Sequence, residues 1–207
     1  MEDVSRCSEH GRKQPCEECK KKRNQRIGPN RPDSVVVAVV AIGRNRELGK
    51  GNKLIWKIPA DVQRFRDLTR GHPLIMGRKT FESILSYRGS PLPERTNIVV
   101  SQTLSSRPDL DDVFRLEHVI VVGSLEEALE AAKKAPGSEE IHIGGGAELY
   151  KQALPMIDKL YLTLIDAEDV GADTFFPEYE KEFTKKVFEE EHEWEGIKYK
   201  YVDLERA

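Results

Sequence analysis

Read for its alternation of apolar and polar positions, the chain switches repeatedly between strand and helix periods. Residues 34–42 form a near-continuous Val/Ala/Ile run, the pattern of a strand covered on both faces. The spacing predicts a helix over 59–70, with Pro59 at its first position and Asp61, Phe65 and Leu68 on one face. A strand at 73–76, a helix at 78–85 and strands at 97–101 and 118–122 follow. Ser124 and Glu127 carry a capping-box signature for a helix running to about 135. The run 140–143 reads as a strand leading into three glycines, followed by a helix at 147–154 and a strand at 159–165. The last two runs, 184–193 and 198–204, flank Glu195-Gly196 and read as a hairpin. Such alternation predicts an α/β three-layer sandwich whose mostly parallel sheet is closed by an antiparallel edge. Between the first strand and first helix, 43–58 reads as a polar loop carrying Gly43, Gly49, Gly51 and Trp56. There is no internal repeat.

Composition narrows the class. At 207 residues, 38% hydrophobic and 33% charged, the chain suits one good-sized core plus a small appendage. No apolar run reaches the roughly 20 residues of a membrane span, and the basic start lacks the apolar stretch of a secretory signal. A cytoplasmic protein that does not engage a membrane is expected. The charge is uneven: residues 1–33 hold nine Lys/Arg against six Asp/Glu, and the remaining 24 against 30 leave the body at −6. That body does not advertise a nucleic-acid partner, although the KKKR run at 20–23 could touch one weakly. The breaker-rich GPNRPDS at 28–34 divides a basic extension, 1–33, from a main domain, 34–207. All three cysteines lie in the extension, where Cys7, His10, Cys16 and Cys19 form two close pairs suited to tetrahedral zinc. The competing reading is a disordered basic tail with incidental thiols. An odd number of cysteines, all in the first twenty residues, argues against a secreted disulfide framework. The acidic cluster from Glu178 to Glu195 reads as a solvated face.

Two strand-to-helix junctions carry the features of a phosphate site, although a single Gly-rich turn more often serves packing and neither motif alone is specific. In LIMGRKTFESI, Gly77 permits close backbone approach, the helix N-terminus offers N–H groups, and Arg78, Lys79 and Thr80 add two cations and a hydroxyl. In IHIGGGAELY, Gly144, Gly145 and Gly146 again lay bare backbone beside a helix start. The pair suits one ligand with two phosphate-bearing ends, such as a dinucleotide. The glycine triplet does not follow the G-x-G-x-x-G spacing of a standard Rossmann site. Taken alone, Asp61 reads as a first-turn acid that complements the helix dipole.

The segments AIGRNRELGKGNKLIWKIPADVQRF, PLIMGRKTFESI, PLPERTNIVVS, IGGGAELY, and KLYLTLIDA followed by DTFFP give Asp61 a different meaning. In order and approximate spacing they resemble the dihydrofolate reductase family from Val35 to Leu204. The resemblance implies a dihydrofolate-reductase-like α/β/α sandwich with an eight-stranded, mostly parallel sheet whose C-terminal edge strand is antiparallel. It implies reduction of 7,8-dihydrofolate to tetrahydrofolate by hydride transfer from NADPH, supporting one-carbon, thymidylate and purine synthesis, in a monomer. By the same resemblance Asp61 binds the pterin amidine edge, a water delivers the proton, Thr163 hydrogen-bonds the carboxylate and Phe65 packs on the substrate. Trp56 belongs to the catalytic set. Ile84 and Leu92 flank the aminobenzoyl group, and Arg95 clamps the glutamate α-carboxylate, a task suited to a fork-shaped permanent cation. Ala41, Leu48 and Gly49 meet the nicotinamide, while Gly77, Lys79 and Thr80 meet the pyrophosphate. Gly144 through Gly146 with Ala147, Glu148, Leu149 and Tyr150 complete the cofactor wall, Gly145 and Gly146 being joined by a cis peptide. Arg78, Ser101 and Gln102 form the 2′-phosphate pocket that selects NADPH over NADH.

Three departures stand out. Ile55 precedes Trp56 where the family usually has proline, Gly144 stands where a larger apolar residue is common, and the 33-residue extension is extra. Two other readings compete. One is the related NADPH-dependent reductase of riboflavin biosynthesis, disfavoured because Asp61, Phe65 and Arg95 match folate contacts together. The other is a non-catalytic nucleotide-binding regulator that docks a partner through its tail.

Overall fold

The computed structural model describes residues 34–102 and 118–207; Cys7, His10, Cys16 and Cys19 lie outside them. Eleven strands are described: β1 (Val35–Ile42), β2 (Glu47–Lys50), β3 (Lys53–Leu54), β4 (Leu74–Gly77), β5 (Asn97–Val100), β6 (Val119–Val122), β7 (Glu140–Ile143), β8 (Lys159–Ile165), β9 (Thr174–Phe175), β10 (Lys185–Trp194) and β11 (Ile197–Glu205). Four α-helices accompany them: α1 (Pro59–Thr69), α2 (Arg78–Arg88), α3 (Leu125–Lys133) and α4 (Ala147–Ala153).

Eight strands form one sheet in the order β10-β11-β8-β1-β7-β4-β5-β6. The six from β8 to β6 pair in parallel, and β11 runs against β8. The β10–β11 hairpin closes that side with β10 outermost, its turn at Glu195 and Gly196 having positive φ at both residues. β1 lies between β7 and β8 and is covered on both faces. Val37 and Val39 face the layer of α1 and α2, where Phe65, Leu68, Phe81 and Ile84 pack with Leu74, Met76 and Val99. Ala38, Val40 and Ile42 face the opposite layer with Leu125, Ala128, Ala132 and Leu149. A parallel ladder needs crossovers that cover both faces, which is why the β-run reads as continuously apolar.

Local signals set the helix ends. Ser124 Oγ accepts from the Glu127 N–H at 3.2 Å, as the capping box anticipates, while the Glu127 carboxylate reaches one residue further back, to the Gly123 N–H at 2.8 Å. α2 runs three residues beyond the predicted 85, because the next residue able to close it in the left-handed conformation is Gly89, at φ 76°.

The predicted polar loop at 43–58 is a correction. Its middle folds as a hairpin, β2 and β3, joined by Gly51 and Asn52 at φ 57° and 59°, with β9 on the other side of β2. Strands of two and four residues carry no periodicity of their own, and this small sheet exists because residues 174–175 return to pair with residue 47 onward.

Candidate active site

Asp61 sits in the first turn of α1, and α1 lies across the central strands. Below it Thr163, 1% exposed, lies in β8 in register with Ala41 of β1 and Tyr201 of β11. The Thr163 hydroxyl donates to Asp61 Oδ1 at 2.5 Å. Burial pushes the Asp61 carboxyl above the usual carboxylate range, while the Thr163 hydrogen bond and the nearby Arg64 charge work in the opposite direction and offset only part of it. Arg64 is itself committed elsewhere, donating to Asp203 at 2.7 Å with its guanidinium 4.5 Å from the Tyr201 ring centre. The acid therefore sits in surroundings of low polarity with one firm hydrogen bond, from Thr163, and lone pairs left for further donors.

Ala41, in register with Thr163, lies near the C-terminal end of β1, and β7 and β4 follow it in parallel order, so their C-terminal ends share one side of the sheet; in open parallel sheets ligands bind outside the carboxyl ends of the strands. The Gly77 N–H donates to the Gly145 carbonyl at 3.0 Å, and the Gly144 N–H to the Ile75 carbonyl at 2.9 Å, so the two phosphate-type junctions are fastened to one another. A Cβ on Gly145 would stand 2.7 Å from Thr80 Cγ2, and the residue has φ 153°, so only glycine forms this cradle. Every peptide bond in it is trans, which corrects the cis peptide implied for Gly145 and Gly146. At Gly144 a Cβ would meet Leu74 Cδ1 at 2.4 Å: the Leu74 side chain occupies the volume that a larger residue would need. The N-cap of α2 is Gly77, which contributes no side-chain bond, leaving first-turn N–H groups available to an anion. Lys79 is exposed there and Thr80 half-buried. Gly77 pairs with Val100, so Arg78 and Ser101 follow directly from adjacent strand ends, with exposed Gln102 next. Arg78 bonds Glu82 at 2.9 and 3.1 Å. These features fit a dinucleotide carrying a pyrophosphate and a further phosphate.

Ala147 is half-buried and Glu148 exposed at the start of α4, whereas Leu149 and Tyr150 are core residues. The Tyr150 hydroxyl donates to the Val39 carbonyl at 2.9 Å, and burial raises its pKa. Ala41 packs with Trp56, Ile58, Ile165, Tyr199 and Tyr201. Leu48 is buried and Gly49 half-buried in β2.

Phe65, one turn after Asp61 on α1, shares one apolar cluster with Ile84 and Leu92. Arg95 is only 6% exposed. Its Nε donates to the Pro93 carbonyl at 3.0 Å and its Nη1 to Thr69 Oγ1, whose own proton goes to the Phe65 carbonyl at 2.7 Å. Burial, with Arg70 nearby, lowers Arg95 to about 10, which leaves it a cation at neutral pH.

Sequence reasoning passed over several residues of this neighbourhood. Thr69 anchors Arg95, and Asp173 fastens the β2–β3 hairpin by accepting from the Gly51 N–H at 2.8 Å while its own N–H donates to the Gly49 carbonyl at 3.1 Å. Asp173 opens the DTFFP segment, the one signal that could have drawn attention to it. Glu47, 2% exposed, is a third. No helix among the described residues is long and apolar enough to cross a membrane.

The family model described as dihydrofolate reductase matches residues 35–206. The dihydrofolate reductase of Haemophilus influenzae is 45% identical over 152 residues, 73% of this chain and 84% of that protein. That of Bacillus subtilis is 42% identical over 153 residues, 74% of this chain and 82% of its own length. Dihydrofolate reductase type 3 of Salmonella typhimurium is 41% identical over 145 residues, 70% of this chain and 80% of that protein.

Proposed function

Because the chain belongs to the dihydrofolate reductase family, and so reduces 7,8-dihydrofolate to tetrahydrofolate with NADPH, we propose that Asp61, held by Thr163, is its catalytic carboxylate. Membership of this family decides against the riboflavin-pathway reductase and the non-catalytic regulator. Bound NADPH supplies the hydride.

The observation that carries the assignment of Asp61 is its 2.5 Å hydrogen bond from Thr163, a buried residue in register with Ala41 near the C-terminal end of β1. One Asp61 oxygen is engaged by Thr163, and the carboxylate can still accept two parallel hydrogen bonds from a ring N–H and an exocyclic amino group. Its charge, in surroundings of low polarity, raises the proton affinity of the ring nitrogen beside the carbon that takes the hydride. Asp61 orients and polarises, and a water delivers the proton. Phe65, Ile84 and Leu92 give the substrate an apolar slot, and Arg95 holds the distal carboxylate from an already fixed geometry, so little order is lost on binding. Trp56 packs against Ala41 and shields the hydride path from solvent.

For the cofactor, the Gly77 and Gly145 backbone, Lys79 and Thr80 suit the pyrophosphate, and Arg78 with Ser101 and Gln102 suits the 2′-phosphate. Ala41, Leu48 and Gly49 face the nicotinamide; Gly144, Gly146, Ala147, Glu148, Leu149 and Tyr150 frame and support that wall. The decisive experiment follows NADPH absorbance with dihydrofolate for the intact chain and for Asp61→Asn. Rapid turnover by the first and its near-complete loss in the second is the expected result, and undiminished turnover in Asp61→Asn removes the assignment.

We also propose that residues 34–207 are the reductase domain of a cytoplasmic monomer, to be checked by sedimentation. In the extension at 1–33, Cys7, His10, Cys16 and Cys19 are proposed to hold one zinc ion. Metal analysis of the full chain beside Cys16→Ser would show it.

A further inference from the structure

Glu47 is the first residue of β2, and its carboxylate is a buried charge that the reaction does not use. Among the described residues no Lys or Arg forms an ion pair with it. Its oxygens are satisfied by amide groups instead: the Asn45 backbone N–H at 2.8 Å on Oε2, Asn45 Nδ2 at 3.1 Å on Oε1, and the backbone N–H of Asp169. Burial pushes this carboxyl up, but these N–H bonds more than offset it and hold Glu47 ionised below the usual range. Donors to an ionised acceptor bind about twice as strongly as neutral pairs, so this group fastens whatever presents them.

Three segments meet at Gly43, beside that carboxylate. A Cβ on Gly43 would stand 2.5 Å from Glu47 Oε2, 2.9 Å from the Ala167 carbonyl and 3.0 Å from Trp56 Cζ2, so the Glu47 carboxylate, the loop after β8 and the indole all close on Gly43, just past the end of β1. Backbone bonds reinforce the junction, from Gly43 N–H to the Glu47 carbonyl at 3.1 Å and from Arg44 N–H to the Ala167 carbonyl at 3.0 Å. Leu48 and Gly49 follow immediately, and Asp173 secures the far side of the same hairpin.

We propose that Glu47 is a positioning residue for hydride transfer: its carboxylate ties the start of β2, and so Leu48 and Gly49, to Asn45 after β1 and to Asp169 in the loop at 166–171. The cofactor-facing backbone is thereby fixed in distance from Asp61. The inference rests on the nicotinamide-facing role read above for Ala41, Leu48 and Gly49. Glu47 touches neither ligand and moves no proton, so its removal has a distinct signature.

The test is single-turnover hydride transfer in Glu47→Gln, with NADPH and with NADPH deuterated at the transferred position. The amide keeps the shape but turns an NH2 toward N–H donors, and a small misplacement of reacting groups is costly, so transfer slows about tenfold. The isotope effect stays fully expressed, NADPH binds several-fold more weakly, and dihydrofolate affinity and the pH midpoint of the rate are those of the parent. A lower Tm with an unchanged transfer rate per folded molecule overturns the proposal, since that is the behaviour of a merely structural group. If Glu47→Gln fails to fold, Asn45→Ala, at an exposed position, removes one donor to the same carboxylate. It should slow transfer about two- to threefold at an unchanged Tm, and a parental rate overturns the proposal equally. Undiminished turnover in Asp61→Asn would instead undo the site assignment on which it rests.

Discussion

Thr163 donates its hydroxyl proton to Asp61 over 2.5 Å, joining the middle of the sheet to the first turn of the helix that lies on it. The bond spans 102 residues of chain and holds a carboxylate that burial has destabilised. A raised folded-state pKa means that the folded chain holds this proton more tightly than the unfolded one. The ionised acid therefore costs stability once pH rises through its folded-state pKa. Asp61→Asn should accordingly raise the Tm at neutral pH while abolishing turnover, and the gain should vanish at a pH below the ordinary carboxylate range. Thermal melts of both proteins across that range check it.

Thr69 holds Arg95 as Thr163 holds Asp61. Thr69→Val keeps the shape and removes the acceptor from a buried cation, a loss of about 1 to 3 kcal/mol. The expected outcome is a KM for dihydrofolate raised roughly tenfold with kcat changed far less, because Arg95 lies away from the reacting carbon. Steady-state kinetics over dihydrofolate concentration separates the two parameters.

Arg78 is the permanent cation at the strand end beside Ser101, and only the 2′-phosphate distinguishes NADPH from NADH. Arg78→Ala should therefore weaken NADPH by about tenfold or more while leaving NADH nearly unaffected. Equal losses with both cofactors would show that the phosphate pocket lies elsewhere.

His142 in β7 is fully buried; neither ring nitrogen makes a hydrogen bond, and Glu140 Oε1 lies 3.4 Å from Nε2, an ion pair only when the ring is protonated. Burial, with His72 and Arg95 nearby, lowers its pKa to about 3, far below the ordinary histidine value of 6.5. The unfolded chain then binds the proton more tightly, so stability falls as pH drops below 6.5 and continues to fall until pH reaches about 3. Leucine at this position should flatten that part of the profile, as denaturant titrations between these pH values would reveal.

The elements of the main sheet and the two glycine junctions were legible in the chain because each is written locally. A β-branched run, a capping box, a proline at a helix start or a glycine at its end acts within one or two turns of itself. Asp61 acquired its meaning only beside the other matched segments, since a first-turn acid is otherwise unremarkable on a helix. What periodicity cannot carry is which distant backbones become neighbours. The β2–β3–β9 sheet depends on residues 174–175 returning to residue 47, and Leu74 filling the space beside Gly144 depends on β4 lying next to β7. The anchors Thr69, Asp173 and Glu47 are polar side chains that look like surface residues in a string of letters. Sequence alone thus determined the kinds of element and the candidate chemistry. Strand order and register decided which amides and hydroxyls surround each buried charge, because only packing removes the water that would otherwise satisfy it.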